Sequence, residues 1–168
     1  MQTLRIEVLI TPLRNGFPRL RAAILNTYGG EMPKKLPKKP LISIVDDDES
    51  VREGTMDLVR SMGFVAKAFP HPEEFLKSGC VSKTACLIAD MRMPGMNGLE
   101  LHNHLVTTKN RVPTILITAF PDDRDRSRAL LAGVTCYLAK PYDDEELLVC
   151  VRSAVDSRDA VETTRREP

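Results

Sequence analysis

Asp46, Asp47, Asp90, Thr118 and Lys140 each stand at or just past the end of a short apolar run. Their types suit one kind of chemistry. Three carboxylates in one pocket cannot all stay ionised without a cation. A set of oxygen donors with few protein ligands suits Mg²⁺, which keeps several of its waters. A threonine hydroxyl and a lysine ammonium beside them would hydrogen-bond and neutralise a phosphoryl group. Phosphoryl transfer asks for positioning and charge neutralisation, so this inventory is sufficient.

Elements must bring these residues together. From Leu41 onward, runs that read as buried strands occur at Leu41–Val45, Phe64–Phe69, Ala85–Asp90, Thr114–Ala119 and Cys136–Ala139. Several are apolar on consecutive positions, as in a parallel sheet covered on both faces. Helical spacing lies between them. Val51, Thr55, Leu58, Val59 and Met62 share a stripe, with Ser50 and Glu53 as a capping box. Pro72 opens a second helix that ends at Gly79, and Leu101 with Leu105 marks a third. Residues 122–131 form a fourth helix, sparsely apolar and closed by Gly133. The last buries Leu147 or Leu148, Val151 and Val155, with Asp144 as its N-cap. Alternating strands and helices predict a doubly wound α/β domain over residues 41–156, with ligands bound beyond the C-terminal strand ends.

Four blocks carry a family resemblance: Ile44-Val45-Asp46-Asp47-Asp48, Asp90-Met91-Arg92-Met93-Pro94-Gly95-Met96-Asn97-Gly98, Ile117-Thr118-Ala119 and Lys140-Pro141. Each alone is weak. In this order, each at a strand end, they resemble the signature of bacterial response regulator receiver domains. The resemblance implies a flavodoxin-like (βα)5 fold with strand order 2-1-3-4-5. It implies that Asp90 accepts a phosphoryl group from a histidine kinase or phosphotransfer protein in a two-component phosphorelay. Asp47 would bind Mg²⁺ directly and Asp46 mainly through water, with Asp90 and the backbone carbonyl of Arg92 completing the set. Lys140 would pair with Asp90, across a cis Lys140–Pro141 peptide. Thr118 and Tyr137 would be the switch pair, and Ala119 the small residue that leaves room for it. Output would pass through the 122–156 face to a protein target, and a phosphorylation-dependent homodimer stays open. Such a domain assists its own phosphorylation and dephosphorylation without being a conventional enzyme.

Other chemistry-bearing types read as structural. Asp48 suits the start of a helix, favoured by the dipole. His102 and His104, two apart on a helix, are expected at the surface, and His71 before Pro72 in a turn or cap. Met91, Met93 and Met96 read as packing. Cys80, Cys86, Cys136 and Cys150 form no CxxC and are expected as reduced, mostly buried thiols of a cytoplasmic protein. No apolar run reaches membrane-spanning length.

Residues 1–40 hold five of the twelve prolines and eight Lys or Arg against two acids, Glu7 and Glu31. They read as a basic, extended N-terminal segment without nucleic-acid character. Met32 is also a natural start, and Gly29-Gly30-Glu31 fits purine-rich codons resembling a ribosome-binding site, so residues 1–31 are either an extension or a mis-called start. Native peptides upstream of Met32 would exclude the latter. Residues 157–168 read as a short polar tail, too brief for a DNA-recognition helix, which favours a stand-alone receiver. The rival reading is a small phosphatase of the haloacid-dehalogenase type using Asp46 and Asp48, with Thr118 and Lys140 as its second and third motifs. Against it, Asp143 and Asp144 fall where the last helix begins, no cap fits, and Asp90 would be idle.

Overall fold

A computed structural model describes residues 39–164, with side chains to Arg158. The readings made for residues 1–38 and 165–168 lie outside the described residues. The elements run β1 (Leu41–Val45), α1 (Glu49–Ser61), β2 (Val65–Phe69), α2 (Pro72–Lys77), β3 (Thr84–Asp90), α3 (Gly98–Thr107), β4 (Thr114–Thr118), α4 (Asp123–Leu131), β5 (Cys136–Ala139) and α5 (Asp144–Thr164), with a 3₁₀ turn at Val81–Lys83. All strand pairings are parallel and the order is β2-β1-β3-β4-β5, as expected. The order reverses beside β1, so the C-terminal ends of β1 and β3 open onto a shared crevice.

Alternation along the strands divides the core into two layers. Val45, Leu87, Ala89, Leu116 and Tyr137 pack with Phe75, Leu99, Leu101, Leu105 and Ala129, under α2, α3 and α4. Ile42, Ile44, Cys86, Ile88, Ile115, Ile117 and Leu138 pack with Val59, Leu147 and Val151, under α1 and α5. Both faces of β3 and β4 are therefore covered, which is why their sequences lack polar alternation. In α4 the only buried residue is Ala129, in keeping with its sparse apolar stripe.

Several local expectations are corrected. The N-cap of α1 is Asp48, whose carboxylate accepts from the amides of Ser50 and Val51, in place of a box between Ser50 and Glu53. Asp143, not Asp144, takes the corresponding place before α5, accepting from the Glu145 amide at 2.8 Å. The capping carboxylate accepts from an amide two residues ahead, so the cap is the residue just before the first helical one. The last helix does not give way to a tail at 157 but continues to Thr164.

His102 is buried rather than at the surface. Its Nδ1 lies 2.9 Å from the Thr114 hydroxyl and its Nε2 lies 3.0 Å from the Ala132 carbonyl, so it ties α3 to β4 and to the end of α4. A polar ring inside a core needs such partners, and they come from elements distant in sequence. The thiols are corrected as well. Cys80 and Cys86 are free and buried, but Cys136 and Cys150 form a disulfide between β5 and α5, their Cα atoms 6.1 Å apart. Sequence spacing does not reveal this pair, because strand-on-helix packing sets the approach.

Candidate functional site

The acidic loop follows β1 directly. Asp46 is buried, and its amide donates to the Phe69 carbonyl at 3.2 Å, continuing the β1–β2 ladder past the strand end. Asp46 Oδ1 accepts from the Asp48 amide at 2.9 Å, which folds the loop back before α1 begins. Asp47 is exposed at the mouth of the crevice. On the adjacent strand, Asp90 ends β3 and is buried, and its Oδ2 accepts from the Arg92 amide at 2.6 Å.

Lys140 follows β5, and its amide donates to the Thr118 carbonyl at 2.7 Å. The peptide to Pro141 is cis, as the resemblance implied. The ammonium reaches both carboxylates, 2.8 Å from Asp46 Oδ2 and 2.5 Å from Asp90 Oδ1. Burial alone would pull the lysine down, but these two hydrogen bonds and charges outweigh it and hold the ammonium above its ordinary range. Burial raises the Asp46 carboxyl, against the opposing pull of Lys140 and the Asp48 amide. Asp46 and Lys140 are thus paired in a space that disfavours isolated charge.

Asp46, Asp47, Asp48, Val51, Asp90, Arg92, Ala119, Phe120 and Lys140 line one cleft of about 280 Å³. Among the described residues no three acidic, cysteine or histidine side chains close into a metal cage, since Lys140 stands between Asp46 and Asp90. The donor set still fits Mg²⁺. Four acids, Asp46, Asp47, Asp48 and Asp90, line the cleft with two bases, Arg92 and Lys140, leaving two negative charges that a divalent ion would match. The donors are oxygens, and few of them, as an ion that retains water requires.

Thr118 is buried, and its hydroxyl engages the Phe120 peptide, accepting from its amide at 3.1 Å. Tyr137 is buried with its ring turned inward, and among the described residues its hydroxyl has no hydrogen-bond partner. Ala119 is exposed beside the cleft. The sequence-predicted residues thus gather at one end of the sheet, with Tyr137 set back behind it.

Two residues escaped the sequence reading as contributors. Gly98 opens α3 hard against β3: a Cβ there would lie 2.3 Å from the Asp90 carbonyl oxygen and 2.9 Å from Leu116 Cδ2. Only glycine lets the helix seat so close to the strand that ends in Asp90. Arg52 lies under the acidic loop, its Nη1 donating to the Asp46 carbonyl at 2.8 Å. Its type and place on a helix are those of any surface arginine, so no signal in the sequence marked it.

Comparisons with known proteins agree with this geometry. The profile of the response regulator receiver domain matches residues 42–152. Nodulation protein W of Bradyrhizobium diazoefficiens is 36% identical over 118 residues, covering 70% of this chain and 52% of that protein. Transcriptional regulatory protein FixJ of Azorhizobium caulinodans is 32% identical over 124 residues, covering 74% of this chain and 57% of its own length. The chain thus spans about half the length of these relatives. The solved structure of the response regulator StyR superposes with a TM-score of 0.71 at 37% identity, covering 76% of this chain and 64% of that one. The profile match and the parallel 2-1-3-4-5 sheet point the same way: this chain belongs to the response regulator receiver domain family.

Proposed function

We propose that Asp90 is the phosphoacceptor of a two-component phosphorelay, taking its phosphoryl group from a histidine kinase or phosphotransfer protein. The observation that carries this reading is the buried Asp90 carboxylate held on one side by Lys140 and on the other by the Arg92 amide, at the rim of an acid-lined cleft. Mg²⁺ would be held by Asp46, Asp47, Asp90 and the Arg92 carbonyl, and when bound it neutralises charge on the transferring group. Asp90 supplies the attacking oxygen. Lys140, already within reach of Asp90, exchanges its carboxylate partner for a phosphoryl oxygen. The Thr118 hydroxyl leaves the Phe120 peptide to bond the same group, and Ala119, lacking a long side chain, leaves the path clear. Tyr137, ring inward with an unpartnered hydroxyl, is the aromatic half of that switch.

Output passes through the face within residues 122–156, where α4 has little apolar surface to hold it. That face presents Leu130, Leu131 and Val149, each exposed, to a protein target or to a second copy of the chain. The relative FixJ is named a transcriptional regulator; the receiver step proposed here needs no DNA contact by the described residues. Among these residues no helix is long and apolar enough to cross a membrane. We place the chain in the cytoplasm, where cellular dithiol reductants would reopen Cys136–Cys150. The phosphatase alternative loses support because its acid/base, Asp48, is committed to capping α1.

The deciding experiment uses radiolabelled acetyl phosphate with and without Mg²⁺. Native protein gains a hydroxylamine-labile label only with the metal, and Asp90→Ala gains none. Label persisting in Asp90→Ala would return the phosphatase reading.

A further inference from the structure

We infer that Arg52 is a positioning residue for magnesium binding, turning the backbone of the acidic loop so that its carboxylates face the cleft; this rests on the function proposed above. The loop offers three consecutive carbonyls, and Arg52 takes all of them. Its Nη1 donates to the Asp46 carbonyl at 2.8 Å and, at a longer 3.4 Å, to the Asp47 carbonyl. Its own amide donates to the Asp48 carbonyl at 2.9 Å, the first helical bond of α1. With the three carbonyls turned toward α1, the Asp46 side chain is free to meet Lys140 and Asp47 to border the cleft. Arg52 itself does not line that cleft, so it acts through Asp46 and Asp47 rather than on an ion or a phosphoryl group.

Charge and position pull in opposite directions, and this makes the inference decidable. As a cation close to the acids, Arg52 by charge alone would weaken magnesium binding. As an organiser of the donor loop it strengthens it, because loosened outer partners let donors wander from the geometry Mg²⁺ demands. Both bonds leave one nitrogen, whose two hydrogens are fixed in the guanidinium plane, whereas a lysine ammonium turns freely on a different arm and does not keep that geometry.

The test is an NMR titration of the full chain with MgCl₂, following the amides of residues 46–48 and 90–92, in native, Arg52→Gln and Arg52→Lys proteins. Arg52→Gln is expected to raise the magnesium Kd about tenfold although it deletes a repelling charge. Arg52→Lys, with charge kept and the two-carbonyl span lost, is expected to fall between. Carbonyl ¹³C shifts of Asp46 and Asp47 in metal-free protein should move in both variants. Equal or tighter magnesium binding by Arg52→Gln overturns the inference while the phosphoacceptor reading stands. Should Arg52→Gln not fold, native-like affinity in Arg52→Lys overturns it instead. No magnesium response in native protein is the separate result that sinks the functional reading.

Discussion

The Lys140 ammonium lies 2.5 Å from the Asp90 carboxylate, a residue fifty positions earlier in the chain, and the same ammonium also holds Asp46 at 2.8 Å. Removing the lysine leaves two buried carboxylates facing each other without a counter-ion. Lys140→Met is therefore expected to destabilise the metal-free protein by about 2 kcal/mol, less than for a sealed pair because the lysine keeps 17% of its side chain in solvent. Adding Asp46→Asn should recover part of the loss. Urea unfolding of native protein, both single variants and the double variant in EDTA measures both effects, and simple additivity would refute the coupling.

The same cluster fixes the sign of a pH dependence. The folded-state pKa of Lys140 is raised, so its contribution is complete below the unfolded lysine pKa and is lost as pH rises through the folded value. Asp46 works in the opposite sense to a salt-bridged acid. Its carboxyl is raised, so the folded chain holds that proton more tightly than the unfolded chain, and this group alone favours folding as pH falls. Metal-free melts between about pH 9 and 12 should show a steeper decline in native protein than in Lys140→Met.

Gly98→Ala is expected to cost about 3 kcal/mol, because the new methyl meets a backbone oxygen that cannot step aside. The damage should reach the chemistry, since that oxygen belongs to Asp90. Thermal unfolding and acetyl phosphate labelling of the variant check the two halves; a loss of stability with labelling untouched would show that α3 moves and the strand end does not.

The Cys136–Cys150 link closes a loop with a sequence separation of 14. In the chain-entropy account a loop of this size stabilises by about 3 kcal/mol. Reduction by dithiothreitol should lower the unfolding free energy by that order, and Cys150→Ser should remove the dependence on reductant. Identical melts with and without dithiothreitol would mean that the thiols are unpaired in solution.

His102→Leu strands the part-buried Ala132 carbonyl and takes one of two partners from the buried Thr114 hydroxyl, which keeps the Val112 carbonyl at 3.0 Å. A cost of about 2 kcal/mol is expected, with the end of α4 loosened. Chemical denaturation and amide exchange at Gly133 and Val134 check it.

The contrast between Lys140 and His102 shows what a reader of the chain alone can recover. Strands β3 and β4 were legible because burial on both faces writes itself as consecutive apolar residues, β1 because only Ser43 interrupts such a run, and the reactive residues because each sits where a run stops. His102, Arg52 and the cystine were not, since each draws its meaning from partners on other elements: Ala132, the carbonyls of the Asp46 loop, the flank of β5. The caps failed for a narrower reason. At α1 the Ser50–Glu53 spacing imitates a capping box while Asp48, two residues earlier, is the one that bends back; Asp143-Asp144 offer neighbouring carboxylates, and only backbone geometry decides between them. The length of α5 was missed because charged residues beyond Asp156 carry no apolar stripe, while a helix already nucleated by packing extends cheaply.

Helix α4 keeps one methyl, that of Ala129, fully inside the protein. A segment that surrenders so little greasy area on lifting away can detach without the rest of the domain noticing. Its amide protons should trade with deuterium through small local openings, while those in the middle of β3 wait for the whole molecule to come apart. Rearranging this surface therefore draws only lightly on the stability of the fold.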